Sequence, residues 1–223
     1  LARKPADQAV NREDILWAAA EVLRHNGYDA ATMKDIAAQV NLTAASLYHH
    51  FKSKDFLLLN VLELGLDLTI DKLEGIVASD LSCAEKLEGM IRSHVMSVTS
   101  NVAVGAAMVF EIRALLHVSA SGRNGENRRH PEFVERRNQF FARRDYFEAL
   151  FRDVLEAGIA AGEFRQADCA IVTKAILGAH NWVGVWYKEE GRLSGEEIAD
   201  VMVDIFLTSL RRGGQAIEVT GGQ

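Results

Sequence analysis

Apolar residues recur three and four positions apart along most of the chain, and polar turns separate these runs. That spacing predicts helices rather than strands. A first helix is expected from about Arg12 to Asn26, with Ile15, Leu16, Ala19, Val22 and Leu23 on its inner face and Gly27 at its end. In TMKDIAAQVNLTAASLYHHFKSKDF, residues 32–56, Thr32 and Asp35 form a capping-box-like pair before Met33, Ile36, Ala37 and Val40. Asn41 and Leu42 break the run, and Thr43 can cap a second short helix, Ala44 to His50. Leu47 points to one side of it, and Ala45, Ser46 and His49 to the other. Small, hydrogen-bonding residues on an exposed helix suit a major groove. Two short helices joined by a polar turn also occur in many helical proteins, so patterning leaves both readings open.

A long helix follows from about Lys54 to Val77, apolar nearly all round in its first half. Such a helix must be covered on several sides, so it belongs to both the N-terminal unit and the body. It is the natural lever between them. Ser82 and Glu85 cap a helix over Cys83 to Ser100, and a further segment runs from Ala103 to Val118. Ser119 to His130 reads as a basic loop, after which Pro131 suits a first helical turn. From Glu132 to Ala161, Arg136, Arg137, Arg143, Arg144 and Arg152 alternate with Phe133, Phe140, Phe141, Phe147 and Phe151. The arginine face is either merely solvated or a seat for an anion at the mouth of an apolar cavity.

The last two helices are expected over Asp168 to Tyr187 and Gly195 to about Arg212, the second capped by Ser194 and Glu197. Small residues in the first and an amphipathic run in the second make them the candidates for a subunit interface. The residues assigned to it are Ala175, Ala179, Val183, Ile198, Val201, Met202 and Ile205. The fold class is all-α, an N-terminal three-helix helix-turn-helix domain (1–53) joined to a helical-bundle ligand-binding and dimerisation domain (54–214), with a tail at 215–223.

Composition narrows the picture further. The chain has 223 residues, 48% of them hydrophobic, and only two prolines. That supports a folded helical protein. Two cysteines give no disulfide framework, and no apolar run approaches a membrane span, so a cytoplasmic protein without a membrane partner is expected. The net charge of −6 argues against a general nucleic-acid coat, though a specific reader needs only a local positive footprint. Lys34, Lys52 and Lys54 could supply one, with Arg3, Lys4 and Arg12 nearby in sequence. No glycine-rich phosphate loop, CxxC pattern or activated nucleophile is visible, so neither a catalytic site nor a metal site is expected, although His94, Glu111, His117 and His180 could converge in space.

Thr32, Ile36-Ala37, Val40, Leu47-Tyr48-His49-His50-Phe51, Lys54 and Leu57 together resemble the signature of TetR-type transcriptional repressors. The dense match covers roughly residues 12 to 58. The resemblance implies double-stranded operator DNA as a partner, a homodimer whose last two helices form a four-helix bundle with their mates, and release by a small-molecule effector. Reading a palindrome takes two reading helices about 34 Å apart, or multiples of that. It also implies DNA-binding roles for Thr32, Lys34, Thr43, Ala45, Ser46, Tyr48, His49 and Lys54, with Tyr48 and Lys54 on phosphates.

The ending NWVGVWYKEEGRLSGEEIAD, residues 181–200, is similar to members of that family that answer to acyl-CoA thioesters and control lipid breakdown. No cofactor is expected beyond such an effector. Met108, Ile112, Phe147, Phe151 and Trp182 are assigned to an apolar tunnel, and Arg136, Arg137, Arg143 and Arg144 to the charged end. Asn181, Trp186 and Tyr187 are assigned to the thioester or pantetheine portion. A planar apolar drug or secondary metabolite is the alternative effector, and a small helical enzyme the distant alternative function.

Overall fold

The computed structural model describes residues 10–116 and 130–212, which form ten helices. The terminal Arg3 and Lys4, His117, most of the basic loop and the tail at 215–223 lie outside the described residues. In chain order the helices are α1 (Arg12–Ala30), α2 (Met33–Gln39), α3 (Ala44–His50), α4 (Lys54–Val77), α5 (Cys83–Ser100), α6 (Val102–Phe110), α7 (Ile112–Leu116), α8 (Pro131–Ala160), α9 (Cys169–Trp186) and α10 (Gly195–Leu210).

Side-chain caps start most of them. Asn11, Thr32, Thr43, Ser53, Ser82, Asp168 and Ser194 each accept a backbone N–H from the first turn. Each satisfies a donor that the helix itself leaves unpaired. Gly27 breaks α1 with φ 70° and ψ 164°, a backbone conformation that glycine adopts without a Cβ clash. The expected single segment from Ala103 onward is instead two helices, α6 and α7, parted at Glu111.

α1, α2 and α3 form a small N-terminal unit around Ile15, Leu23, Ile36, Leu47 and Phe51, all essentially buried. α4 joins it to the body. Phe56, Leu57, Leu58, Leu59, Val61 and Leu62 are buried along the first half of α4, which packs against α1, α5, α6, α7 and α8. α5 and α6 meet at a bend of 99°, and α9 packs across α5, α6 and α8. α10 lies along α5. Glu163, just past the α8 terminus, accepts the backbone N–H groups of Cys83 (3.2 Å) and Ala84 (2.9 Å), which caps α5 from across the body. Among the described residues no single helix is long and apolar enough to cross a membrane.

Candidate nucleic-acid interface and effector cavity

The turn between α2 and α3 passes through Asn41 at φ 55°, a left-handed conformation that asparagine tolerates better than most residues. Thr43 then opens α3. Its Oγ1 accepts the Ser46 N–H at 3.0 Å and lies 2.9 Å from the Ser46 hydroxyl. Leu47 anchors α3 in the core, and Ala45, Tyr48 and His49 are exposed on the other side, with Ser46 half-buried. Thr32 and Lys34 are exposed at the start of α2, where the Thr32 hydroxyl donates to Asp35 at 2.6 Å. That bond, with the Thr32 backbone N–H, holds the Asp35 carboxyl below its ordinary range.

Lys54 has a different setting. Its ammonium donates to the carbonyls of Tyr28 (2.5 Å) and Ala31 (2.8 Å) and sits 4.3 Å from the centre of the Tyr28 ring. A phosphate would have to compete with these bonds. Lys52 pairs with Glu132 at the start of α8. Arg12 donates to Asn60, whose carbonyl oxygen also accepts from Arg136 of α8 at 3.1 Å. The N-terminal unit is therefore tied to the body at side-chain level. Glu111, between α6 and α7, accepts the backbone N–H of Tyr28, while burial raises its carboxyl above the usual carboxylate range.

The body holds a cavity of about 380 Å³ between α1, α4, α5, α6, α8 and α9. Leu66, Val98, Val104, Met108, Phe147 and Leu177 give it apolar walls, and Lys72, Arg144 and Lys174 bring positive charge to its lining. Lys174 pairs with Glu148 at 2.9 Å, the one carboxylate of the described lining. His94, Asn101 and Asn181 add polar groups.

Of the sequence-assigned effector residues, Met108, Arg144, Phe147 and Asn181 line this cavity. Several expectations are corrected. Arg136 pairs with Glu63, and Arg143 with Asp67 at 2.8 Å, so both cross-link α8 to α4 rather than line the cavity. Arg137 bonds its neighbour Asn138 and also lies off the lining. Phe151 is fully buried behind Phe147, 5.7 Å between ring centres. Ile112 lies off the cavity, near the α7 end, and Tyr187 belongs to a separate surface groove beside α1. Trp182 and Trp186 are 58% and 47% exposed, on the outside of α9.

The sequence reading missed Lys72, Lys174 and Trp17 on the cavity wall. Each looks like an ordinary amphipathic-helix residue until the packing angles are known. Gly65 carried a signal: a Cβ there would lie 2.4 Å from Val104 Cγ1, so α4 and α6 cross closely at the cavity.

The assigned interface residues also divide. Val183 (0% exposed) and Ile198 (3%) are core residues, which corrects their assignment. Ala175, Val201 and Ile205 face outward, and Ala179 and Met202 are half-buried. Ile171, Ala175, Gly178, Trp182 and Trp186 recur at helical spacing along one exposed stripe of α9. The two tryptophans therefore continue the exposed face of α9.

Residues 15–61 match the family described as "Bacterial regulatory proteins, tetR family", and residues 130–210 match "Tetracyclin repressor-like, C-terminal domain". The chain is 30% identical over 205 residues to the HTH-type transcriptional repressor KstR2 of Mycolicibacterium smegmatis, covering 91% of this chain and 92% of that protein. The chain belongs to the TetR family. As a TetR-family member it is a DNA-binding regulator and not an enzyme. Family members typically bind operator DNA as homodimers and are modulated by small molecules.

Two solved structures are similar over most of the chain, the first of them described as a TetR family transcriptional regulator. PfmR from Thermus thermophilus superposes with a TM-score of 0.75 at 29% identity, over 91% of this chain and 100% of that one. AibR in complex with isovaleryl coenzyme A and operator DNA superposes with a TM-score of 0.67 at 27% identity, over 86% and 96%.

Among the described residues no three histidine, cysteine, aspartate or glutamate side chains come together as a metal site. His94 and His180 do converge. Glu111 lies instead beside Gly27, and His117 is outside the described residues.

Proposed function

We propose that this TetR-family regulator is a cytoplasmic repressor that binds a palindromic operator as a homodimer and is released by an acyl-CoA. The observation that carries the effector class is the lining of the body cavity. Its walls are apolar, and three cations face one carboxylate. Such a site favours an amphiphile with an anionic end. A cavity of about 380 Å³ suits an acyl chain and its thioester, and the nucleotide phosphates would stay near the mouth, close to Lys72, Arg144 and Lys174. There they keep most of their hydration, so pairing costs little desolvation. The AibR complex with isovaleryl coenzyme A supports the same class.

The DNA contacts are assigned to α3 and the start of α2. Ala45, Ser46 and His49, with Thr43, face base edges. Tyr48 and Lys34 lie on the phosphate backbone, and Thr32 orders the start of α2. The dimer forms through the exposed faces of α9 and α10, a proposal motivated by the exposed stripe from Ile171 to Trp186 with Val201 and Ile205. The reading unit is residues 1–53 and the effector-binding and dimerisation unit 54–214. Effector and DNA then oppose each other reciprocally, each weakening the other by the same factor.

The test is titration of the protein–operator complex, followed by fluorescence anisotropy, with acyl-CoAs of graded chain length, free fatty acids, CoA alone and uncharged planar drugs. Release by at least one CoA thioester at micromolar levels, with little effect of CoA itself, is the expected result. Release by uncharged aromatics while every CoA ester leaves DNA bound would overturn the effector and favour a drug or secondary metabolite.

A further inference from the structure

His94 of α5 and His180 of α9 form a buried pair with Nδ1 3.2 Å from Nδ1. Both rings are nearly inaccessible, at 6% and 0% exposure, and both pack among aromatic rings. His94 stands 5.1 Å from Phe147, and His180 6.0 Å from Phe206, between ring centres. Burial pushes the His94 imidazole down to about 4, and burial together with His94 lowers His180 well below its ordinary value. Both rings are therefore neutral near pH 7, and a neutral imidazole carries one N–H.

One hydrogen bridges the two Nδ1 atoms, so the pair has two possible arrangements. If His94 supplies it, His180 carries its own hydrogen on Nε2, a buried atom with no hydrogen-bond partner among the described residues. If His180 supplies it, that Nε2 is a bare lone pair and His94 carries its hydrogen on Nε2. Orphaned buried N–H groups are the rarer defect in folded proteins, which selects the second arrangement. His94 lines the cavity and His180 does not. With Nδ1 turned toward His180, Nε2 is the His94 nitrogen left to face the cavity.

We propose that His94 reads the acyl carbonyl of the effector: held in its Nε2–H form by a hydrogen bond from His180 Nδ1, it donates to the carbonyl oxygen of the bound thioester. His180 is a positioning residue that acts through His94. This inference rests on the acyl-CoA reading above and adds the group that is recognised. The apolar walls take the chain and the cations take the phosphates, but neither tells a thioester from a thioether. A neutral donor between them does. A site built around a buried N–H penalises an analogue that leaves that N–H unpaired.

The experiment compares an acyl-CoA thioester with the S-alkyl-CoA thioether of equal chain length by calorimetry, on the full chain. Wild type should bind the thioester about tenfold more tightly, the size of one neutral hydrogen bond. His94→Phe keeps the ring's bulk and removes its donor, so it should bring that ratio close to one. His94→Gln, which offers an amide N–H at a similar reach, should restore part of the preference. His180→Phe should weaken the preference without touching the ligand.

Nitrogen-15 spectra of the histidines give an independent reading on wild type alone. They should show His94 protonated on Nε2 and His180 on Nδ1, with the His94 signal moved by thioester and not by thioether. A wild-type ratio near one, an undiminished ratio in folded His94→Phe, or His94 protonated on Nδ1 overturns the inference while the acyl-CoA assignment stands. Binding of neither CoA compound overturns that assignment and this inference with it.

Discussion

Tyr28 donates its phenolic hydrogen to the buried carboxylate of Asp55 at 2.5 Å. One residue lies just after the Gly27 break, and the other sits in the first turn of α4, so the bond spans the N-terminal unit and the shared helix. Tyr28→Phe keeps the ring and its packing but removes a donor from a buried carboxylate. Stability should fall by about 1–3 kcal/mol, seen as a lower urea midpoint with an unchanged slope. A midpoint equal to wild type would show that the bond adds nothing.

Charges placed on α9 and α10 should separate interface from core. Val201→Asp and Ile205→Asp put a carboxylate on exposed faces and should yield folded monomers in sedimentation analysis, with helical circular dichroism retained. Val183→Asp puts it where no water reaches and should cost folding itself. If the Val201 and Ile205 variants stay dimeric, or wild type is monomeric on operator DNA at micromolar concentration, α9 and α10 are not the interface.

The buried histidine pair predicts how stability depends on pH. The His94 value in the folded protein, about 4, is depressed from 6.5, so the unfolded chain binds more protons between those values. Stability therefore rises with pH there. The contribution is complete above about pH 6.5 and is lost as pH falls toward 4, reaching about 3 kcal/mol for His94. His180 shifts the same way and adds to the slope. Thermal unfolding of wild type should show a falling midpoint from pH 6.5 to 4.5, and His94→Gln/His180→Phe should flatten it. An equal slope in the folded double variant would refute the assignment.

Lys34 and Ala45 should affect DNA differently. Lys34→Ala should weaken binding to all sequences alike and reduce the salt slope by about one unit, as expected for a lost phosphate contact. Replacing Ala45 by a larger residue should shift the preferred base at one position per half-site. Unchanged DNA affinity in well-folded variants at Lys34, Tyr48 and His49 would remove α3 and the start of α2 from the interface.

The helices were legible because their signals are local. Thr32 with Asp35, Ser82 with Glu85 and Ser194 with Glu197 are capping pairs three residues apart, and the structure forms all three. The phase of α3 was legible for the same reason, since Leu47 is its one buried residue. The cavity was not. Its lining comes from six helices, and which side of α8 faces it depends on crossing angles that periodicity does not encode. Hence Arg144 reaches the cavity while Arg143, one residue earlier, turns to Asp67. The tryptophans misled because large aromatic residues usually signal interior, whereas Trp182 and Trp186 cover the outside of α9. His94 and His180 are 86 residues apart, and only the fold brings them together.

The carbonyl of Asn60, shared by Arg12 from α1 and Arg136 from α8, bears on how reading heads can be exchanged between relatives. A chimera joined after residue 53 would inherit Lys54, Asp55 and Asn60 from the recipient, while their partners Tyr28, Ala31 and Arg12 came from the donor. Transplanted specificity should survive when the junction lies beyond Asn60 and the residue facing Asn60 from α8 remains an arginine. The practical seam of the molecule thus falls inside α4, about two turns past the point where the DNA-binding motif ends.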